Sequence, residues 1–110
     1  MSIYLIETWV IKPENEEKND LLWEQFVKYM NDNPKLLSAI KSMKLYKKLT
    51  GKNFVTHVQI VEFNSLKDKE VLDKSLSKDR ESVALNRKLM LVKDTVTTTE
   101  ILCEPFLEYG

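Results

Sequence analysis

The chain has one cysteine, one histidine, two glycines and no excess of either charge, and each scarcity removes a class of function. A lone Cys103 cannot close an internal disulfide. Without any Cys/His spacing around it, no structural metal site can be written, and a reducing, cytoplasmic setting is expected. With glycine only at Gly51 and Gly110, there is no glycine-rich loop to cradle a phosphate, which excludes nucleotide binding by that route. Because 17 basic residues balance 17 acidic ones, no broad field exists to hold a nucleic-acid backbone or an anionic membrane. Neither is expected as a partner. No apolar run approaches the roughly 20 residues that span a bilayer. Met1-Ser2-Ile3-Tyr4 also lacks the basic and apolar regions of a signal peptide.

What is present suffices for one compact domain over 1–110, with 43% apolar residues and room for a core that association could enlarge. Ten residues, 54–63, are dense in β-branched and aromatic side chains and carry the only histidine, His57. They read as the hub strand. Directly after it, Ser65 can cap a helix whose third residue is Asp68. An earlier strand spans 3–11, stopped by Pro13, which cannot donate to a ladder. From Glu14 the period changes to helical, with Leu22, Trp23, Phe26, Val27 and Met30 on one face and acidic residues at the start, until Asn31-Asp32-Asn33-Pro34. Residues 35–40 are read as a connection. A lysine-guarded edge strand over 43–49 follows, then a turn at 50–53. Beyond the hub strand, Leu66, Val71, Leu72 and Leu76 mark one helix and 80–93 a second, opened by Ser77-Lys78-Asp79. A long strand over 95–104 ends at Pro105.

The order β-α-β-β-α-β predicts an α+β fold, a four-stranded antiparallel sheet with its first and third strands central and its helices on one face. Alternation then divides the strand residues into two sets. Tyr4, Ile6, Thr8, Val10, Thr56, Val58, Ile60, Thr99, Ile101 and Cys103 are expected beneath the helices, with Cys103 an inert buried thiol. Leu5, Glu7, Trp9, Val55, His57, Gln59, Val61, Thr98, Glu100 and Leu102 are expected on the uncovered side. There a second copy of the chain would enclose a cavity.

The passage Val61-Glu62-Phe63-Asn64-Ser65-Leu66, the polar start at Ser77 to Asp79, and the closing Thr99-Glu100-Ile101-Leu102-Cys103-Glu104-Pro105 resemble the ferredoxin-like dimeric α/β-barrel superfamily, in its antibiotic-biosynthesis-monooxygenase-like branch. The resemblance spans nearly the whole chain. It implies a homodimer whose two sheets form a barrel, and it implies chemistry ranging from cofactor-independent oxygenation and isomerisation to haem degradation. Haem-degrading members carry a haem-ligating histidine on the second helical region. Residues 80–93 offer Asn86 but no histidine, so no cofactor is expected.

Within the expected cavity, Glu7 beside His57 would raise the histidine pKa and fix its tautomer, as a general base requires. Gln59 could orient a carbonyl or oxyanion, Trp9 could stack on an aromatic substrate, and Glu100 flanks the pair. Lys47 is read as an edge-strand surface charge. Two functions from different classes follow: a cofactor-free monooxygenase or isomerase acting on an aromatic or polyketide-like molecule, or a non-catalytic dimeric module that binds a small apolar or aromatic ligand or serves as an interaction unit.

Overall fold

The computed structural model describes residues 2–94 and 97–109. Its elements run β1 (Ile3–Trp9), a 3-10 turn (Pro13–Asn15), α1 (Glu16–Asp32), a second 3-10 turn (Pro34–Leu37), β2 (Ser42–Lys47), β3 (His57–Phe63), α2 (Leu66–Lys78), α3 (Arg80–Val92) and β4 (Thr99–Cys103). The strands form one antiparallel sheet in the order β2-β3-β1-β4, so the first and third strands are central. This is the ferredoxin-like α+β arrangement. Among the described residues no helix is long and apolar enough to cross a membrane.

The helix boundaries follow from capping chemistry. Ser65 accepts from the Asp68 amide at 3.3 Å at the start of α2. At the start of α3, Asp79 accepts from the amide and hydroxyl of Ser82 at 3.0 and 2.8 Å, and from the Tyr29 hydroxyl of α1 at 2.8 Å. One carboxylate therefore caps one helix and ties it to another. Asp79→Ala strips the cap and leaves the buried Ser82 without its acceptor, so chemical denaturation should show a loss of about 2 kcal/mol, whereas an unchanged midpoint would refute the joint.

All four strands are shorter than expected, β2 because it ends at Lys47, and the other three because local polar groups compete with the ladder. β1 stops at Trp9 because the next ladder position is taken by Thr56, whose Oγ1 accepts from the Ile11 amide at 2.8 Å. β3 starts at His57 because 48–56 forms a loop, turned at Gly51 (φ +156°) and pinned where Asn53 Oδ1 accepts from the Val55 amide at 3.2 Å. β4 starts at Thr99 because Thr97 and Thr98 turn their hydroxyls back onto the Asp94 carbonyl, at 3.2 and 3.0 Å. Thr95 and Val96, expected in this strand, lie outside the described residues. The connection after α1 contains the short 3-10 turn.

The two sheet faces are the reverse of the expected assignment. Leu5, Trp9, Val61 and Phe63 are buried, and lie in the two core clusters that receive Phe26 and Met30 of α1, Leu72 of α2 and Leu85 and Leu89 of α3. Glu7, His57, Gln59, Glu100 and Leu102 share that helix-covered face by register. The bulkier set is the one that can fill the space under the layer of helices, and Trp9 is fully buried there. Tyr4, Ile6, Thr8, Val58, Ile60, Ile101 and Cys103 occupy the uncovered face instead, where Ile101 is 56% exposed. Cys103 is half-buried, its thiol 3.7 Å from the Tyr4 carbonyl, and does not lie beneath the helices.

Candidate active site

Between α1 and the β2-β3-β1 half of the sheet lies a cleft of about 780 Å³. The period of α1 builds one wall. Asn19, Leu22, Phe26 and Met30 are its buried stripe, and Trp23, one turn beyond Asn19, is half-buried at the cleft edge beside Val27. Leu45 and Lys47 of β2, His57 of β3 and Trp9 of β1 form the other wall. Trp9 stacks on Trp23 with ring centroids 5.6 Å apart and on the His57 ring at 5.7 Å, nearly parallel at 12°. The Lys93 ammonium sits 4.5 Å over the Trp9 ring, a cation–π contact.

The hydrogen bonds around the ring fit a histidine protonated on Nδ1. Thr56 Oγ1 already accepts from the Ile11 amide and donates to the Trp9 carbonyl at 3.3 Å, so its remaining lone pair accepts from His57 Nδ1–H at 2.7 Å. Nε2 is then the unprotonated nitrogen. It faces Asn19 Nδ2, which donates to it at 3.3 Å, and the Asp20 carboxylate lies 3.4 Å away. Asn19 Nδ2 also donates to Asp20 at 3.1 Å. Reversing that amide would set two acceptor oxygens against each other, so its orientation is fixed. Lys47 completes the cluster with ion pairs to Asp20 and, at 3.3 Å, to Glu16.

The electrostatics follow from burial and partners. Burial holds the His57 pKa below its ordinary value, with the Asp20 carboxylate acting against that shift. The imidazole is therefore a neutral acceptor, contrary to the raised pKa expected from the sequence. For Asp20, burial pushes upward but the hydrogen bonds from Lys47 and Asn19 prevail and hold it below the usual carboxylate range.

The structure brings Trp9 and His57 together and places the other expected site residues elsewhere. Glu7 is not the partner of His57. It faces Gln59 and Glu100 across the ladder, one pleat from the position opposite His57 that Trp9 fills. Burial raises the Glu7 pKa, opposed by Lys93 and reinforced by Glu100, while burial lowers that of Lys93. Gln59 donates to the Met43 thioether at 3.2 Å. Glu7, Gln59 and Glu100 are not among the residues lining the cleft. The carboxylate beside the imidazole is Asp20, from α1. Sequence reasoning missed it, along with Asn19 and Lys47, although Asn19 left a trace as the one amide on the apolar stripe of α1. Trp23 serves both as helix packing and as cleft wall.

Two buried indole nitrogens, Trp9 Nε1 and Trp23 Nε1, and the buried Asn19 Oδ1 have no hydrogen-bond partner among the described residues. A cleft whose lining residues carry buried, unmatched polar atoms, with the His57 imidazole among them, has the composition of a small-molecule site.

The fold and cleft together define an α+β, ferredoxin-like protein with a pocket between its first helix and its sheet. Among solved structures the chain is similar to a dimeric ferredoxin-like protein of unknown function from Bacteroides fragilis (15% identity, TM-score 0.65, covering 94% of this chain and 95% of that one). It is also similar to an antibiotic biosynthesis monooxygenase (15% identity, TM-score 0.69, 96% and 99%) and to SnoaB, a cofactor-independent oxygenase from Streptomyces nogalater (7% identity, TM-score 0.67, 97% and 95%). At such identities these likenesses establish the fold, which is the one the sequence resemblance implies. No family profile matches the chain, and no curated protein matches it.

Proposed function

We propose that the chain forms a homodimer and that each copy binds a small, flat, largely apolar molecule in the α1 cleft, where His57 Nε2 acts as a general base. The observation that supports this reading is the Thr56–His57–Asn19–Asp20 chain, which fits a ring protonated on Nδ1 with Nε2 beside a carboxylate in the cleft. In the step, Asn19 Nδ2 gives up its hydrogen bond to Nε2, a C–H or O–H proton of the bound molecule passes to the freed lone pair, and the electron pair stays behind as an enolate or phenolate. Asp20, 3.4 Å away, offsets the positive charge that develops on the ring. Returning the proton at another carbon is isomerisation. Capture of the same electron-rich species by dioxygen, the oxidant, begins the cofactor-free monooxygenation of an aromatic or polyketide-like substrate. The oxygenases of this fold support that direction.

The homodimer reading rests on the uncovered sheet face, with Tyr4, Ile6, Val58, Ile60 and Ile101 left without helices above them, and on the dimeric state of the Bacteroides fragilis relative. The unpaired Cys103 suits a reducing cytoplasm.

A second reading has an observation of its own. Asn19 is fully buried and His57 is 7% exposed, bonded to each other as in a network that only fixes the fold, and a dimeric ligand-binding module without turnover would look the same. The two separate on exchange kinetics. With phenols and quinones screened by thermal shift in deuterium oxide, a bound ligand with an acidic C–H should exchange it on the protein, and His57→Ala should slow exchange by about 10²–10⁴-fold. Binding with exchange indifferent to His57→Ala would leave only the module.

A further inference from the structure

The geometry points to a charge class for the ligand: we propose that the α1 cleft takes a small organic cation, an ammonium or guanidinium carried on a flat apolar body. The inference rests on reading the cleft as a ligand site and adds what the ligand must present there.

The first observation is electrostatic. The carboxylates of Asp20, Glu24 and Asp32 line the cleft against the ammonium groups of Lys28 and Lys47, and Lys47 is already engaged by Asp20 and by a further carboxylate, Glu16. A second depression, along the N-terminal half of α1, shares Asp20 and Glu24 with the cleft and adds Glu16 and Glu17, with no basic residue in its lining. A chain of zero net charge thus carries a local acidic track that leads into the α1 cleft, and such a track draws cations and turns away anions.

The second observation is independent of charge. Asn19 is fully buried, lines the cleft, and its Oδ1 accepts nothing among the described residues. A buried acceptor without a donor carries a desolvation cost that an incoming N–H removes. An ammonium or guanidinium group supplies several such donors at once, enough for Asn19 Oδ1 and Asp20 together, while a carboxylate ligand supplies none. The walls suit the rest of the molecule. Trp23, Val27 and Leu45 offer an apolar slot for a flat body, and the Trp9–Trp23 pair already holds one ammonium, that of Lys93, at 4.5 and 5.8 Å from the two rings.

Three probes with one aromatic body and different heads test this on the intact chain: tryptamine, tryptophol and indole-3-acetate, titrated by calorimetry at pH 7.5 in low and in high salt. The expected order is tryptamine first, by about tenfold over tryptophol, with indole-3-acetate weakest and the amine's advantage shrinking in salt. Asp20→Asn should bring tryptamine to within about threefold of tryptophol, and Glu24→Gln, at an exposed position, should lose part of the preference with the fold intact. Equal or tighter binding of the alcohol or the acid overturns the proposal, as does failure of all three to bind. The base role is read separately. Loss of the amine preference with His57-dependent exchange intact sinks only the charge class, and a preserved preference with exchange indifferent to His57→Ala sinks only the base.

Discussion

Trp9→Ala is expected to lower the unfolding free energy by about 3–5 kcal/mol, the cost of emptying a fully buried large aromatic site. Trp9 sits where the central strand meets α1 and α3. Its ring stacks on Trp23 and on His57 and carries the Lys93 ammonium. Removing it opens a cavity between the core and the cleft and frees the imidazole from the ring that holds it flat. One effect works the other way. Trp9 Nε1 is buried without a partner, which already costs about 1–3 kcal/mol, so the loss should fall toward the lower end of the range. The same consideration sets the control. Trp9→Phe keeps an aromatic face and discards the unmatched N–H, and should cost no more than about 1.5 kcal/mol. Urea denaturation of the three proteins measures this, and a loss below about 1 kcal/mol for alanine would show that the ring is not what fills the core.

Ile60→Asp is expected to convert a dimer into a monomer while leaving the monomer folded. Ile60 lies on the central strand opposite Ile6 and beside Lys44, on the face the helices do not cover. Ile101 is the next neighbour across β1. A two-fold contact on this face would repeat the substitution in both copies, setting two carboxylates against each other in a dry interface with only the edge-strand Lys44 beside each, which outweighs the burial energy of so small an apolar patch. In the free subunit the same aspartate meets water and costs little. Light scattering should give a mass near twice 12.9 kDa for the parent chain and near 12.9 kDa for the variant, with circular dichroism unchanged. A parent chain that is monomeric, or a variant that stays paired, would remove the interface from this face.

The fold was legible in the sequence where a residue's role is local. Ser65 could be placed as a cap, and Ser77 to Asp79 as the start of the next helix, because short polar side chains before an apolar period have one good use, and the strand order followed from the right-handed crossover. The side of the sheet that faces the helices was not legible. Alternation yields two sets and both are apolar, Ile6, Val58 and Ile60 in one, Leu5, Trp9 and Val61 in the other, so the choice turns on which set matches the volume under α1 and α3. That is a tertiary quantity. The grouping of Trp9 with His57 was visible as shared parity. The carboxylate was not, because Asp20 reaches the imidazole from a helix some 37 residues away in sequence, and nothing in the strand pattern registers how α1 lies across β3. Glu7 satisfied parity but not register: it stands one pleat from His57, where a bulky indole fills the position between. The shortened β4 has a different origin, a run of threonines whose β propensity is high but whose hydroxyls bond back to Asp94.

His57 is the only histidine, so its ring nitrogens can be followed by ¹⁵N NMR without assignment by mutation, and that titration tests the cleft most directly. The neutral ring is expected to carry its proton on Nδ1, with Nε2 unprotonated, and to titrate below the ordinary value of 6.5. A ring protonated on Nε2 when neutral, or one that titrates above 6.5, would place the imidazole in a solvated or differently bonded setting and contradict the assignment of His57 as the base.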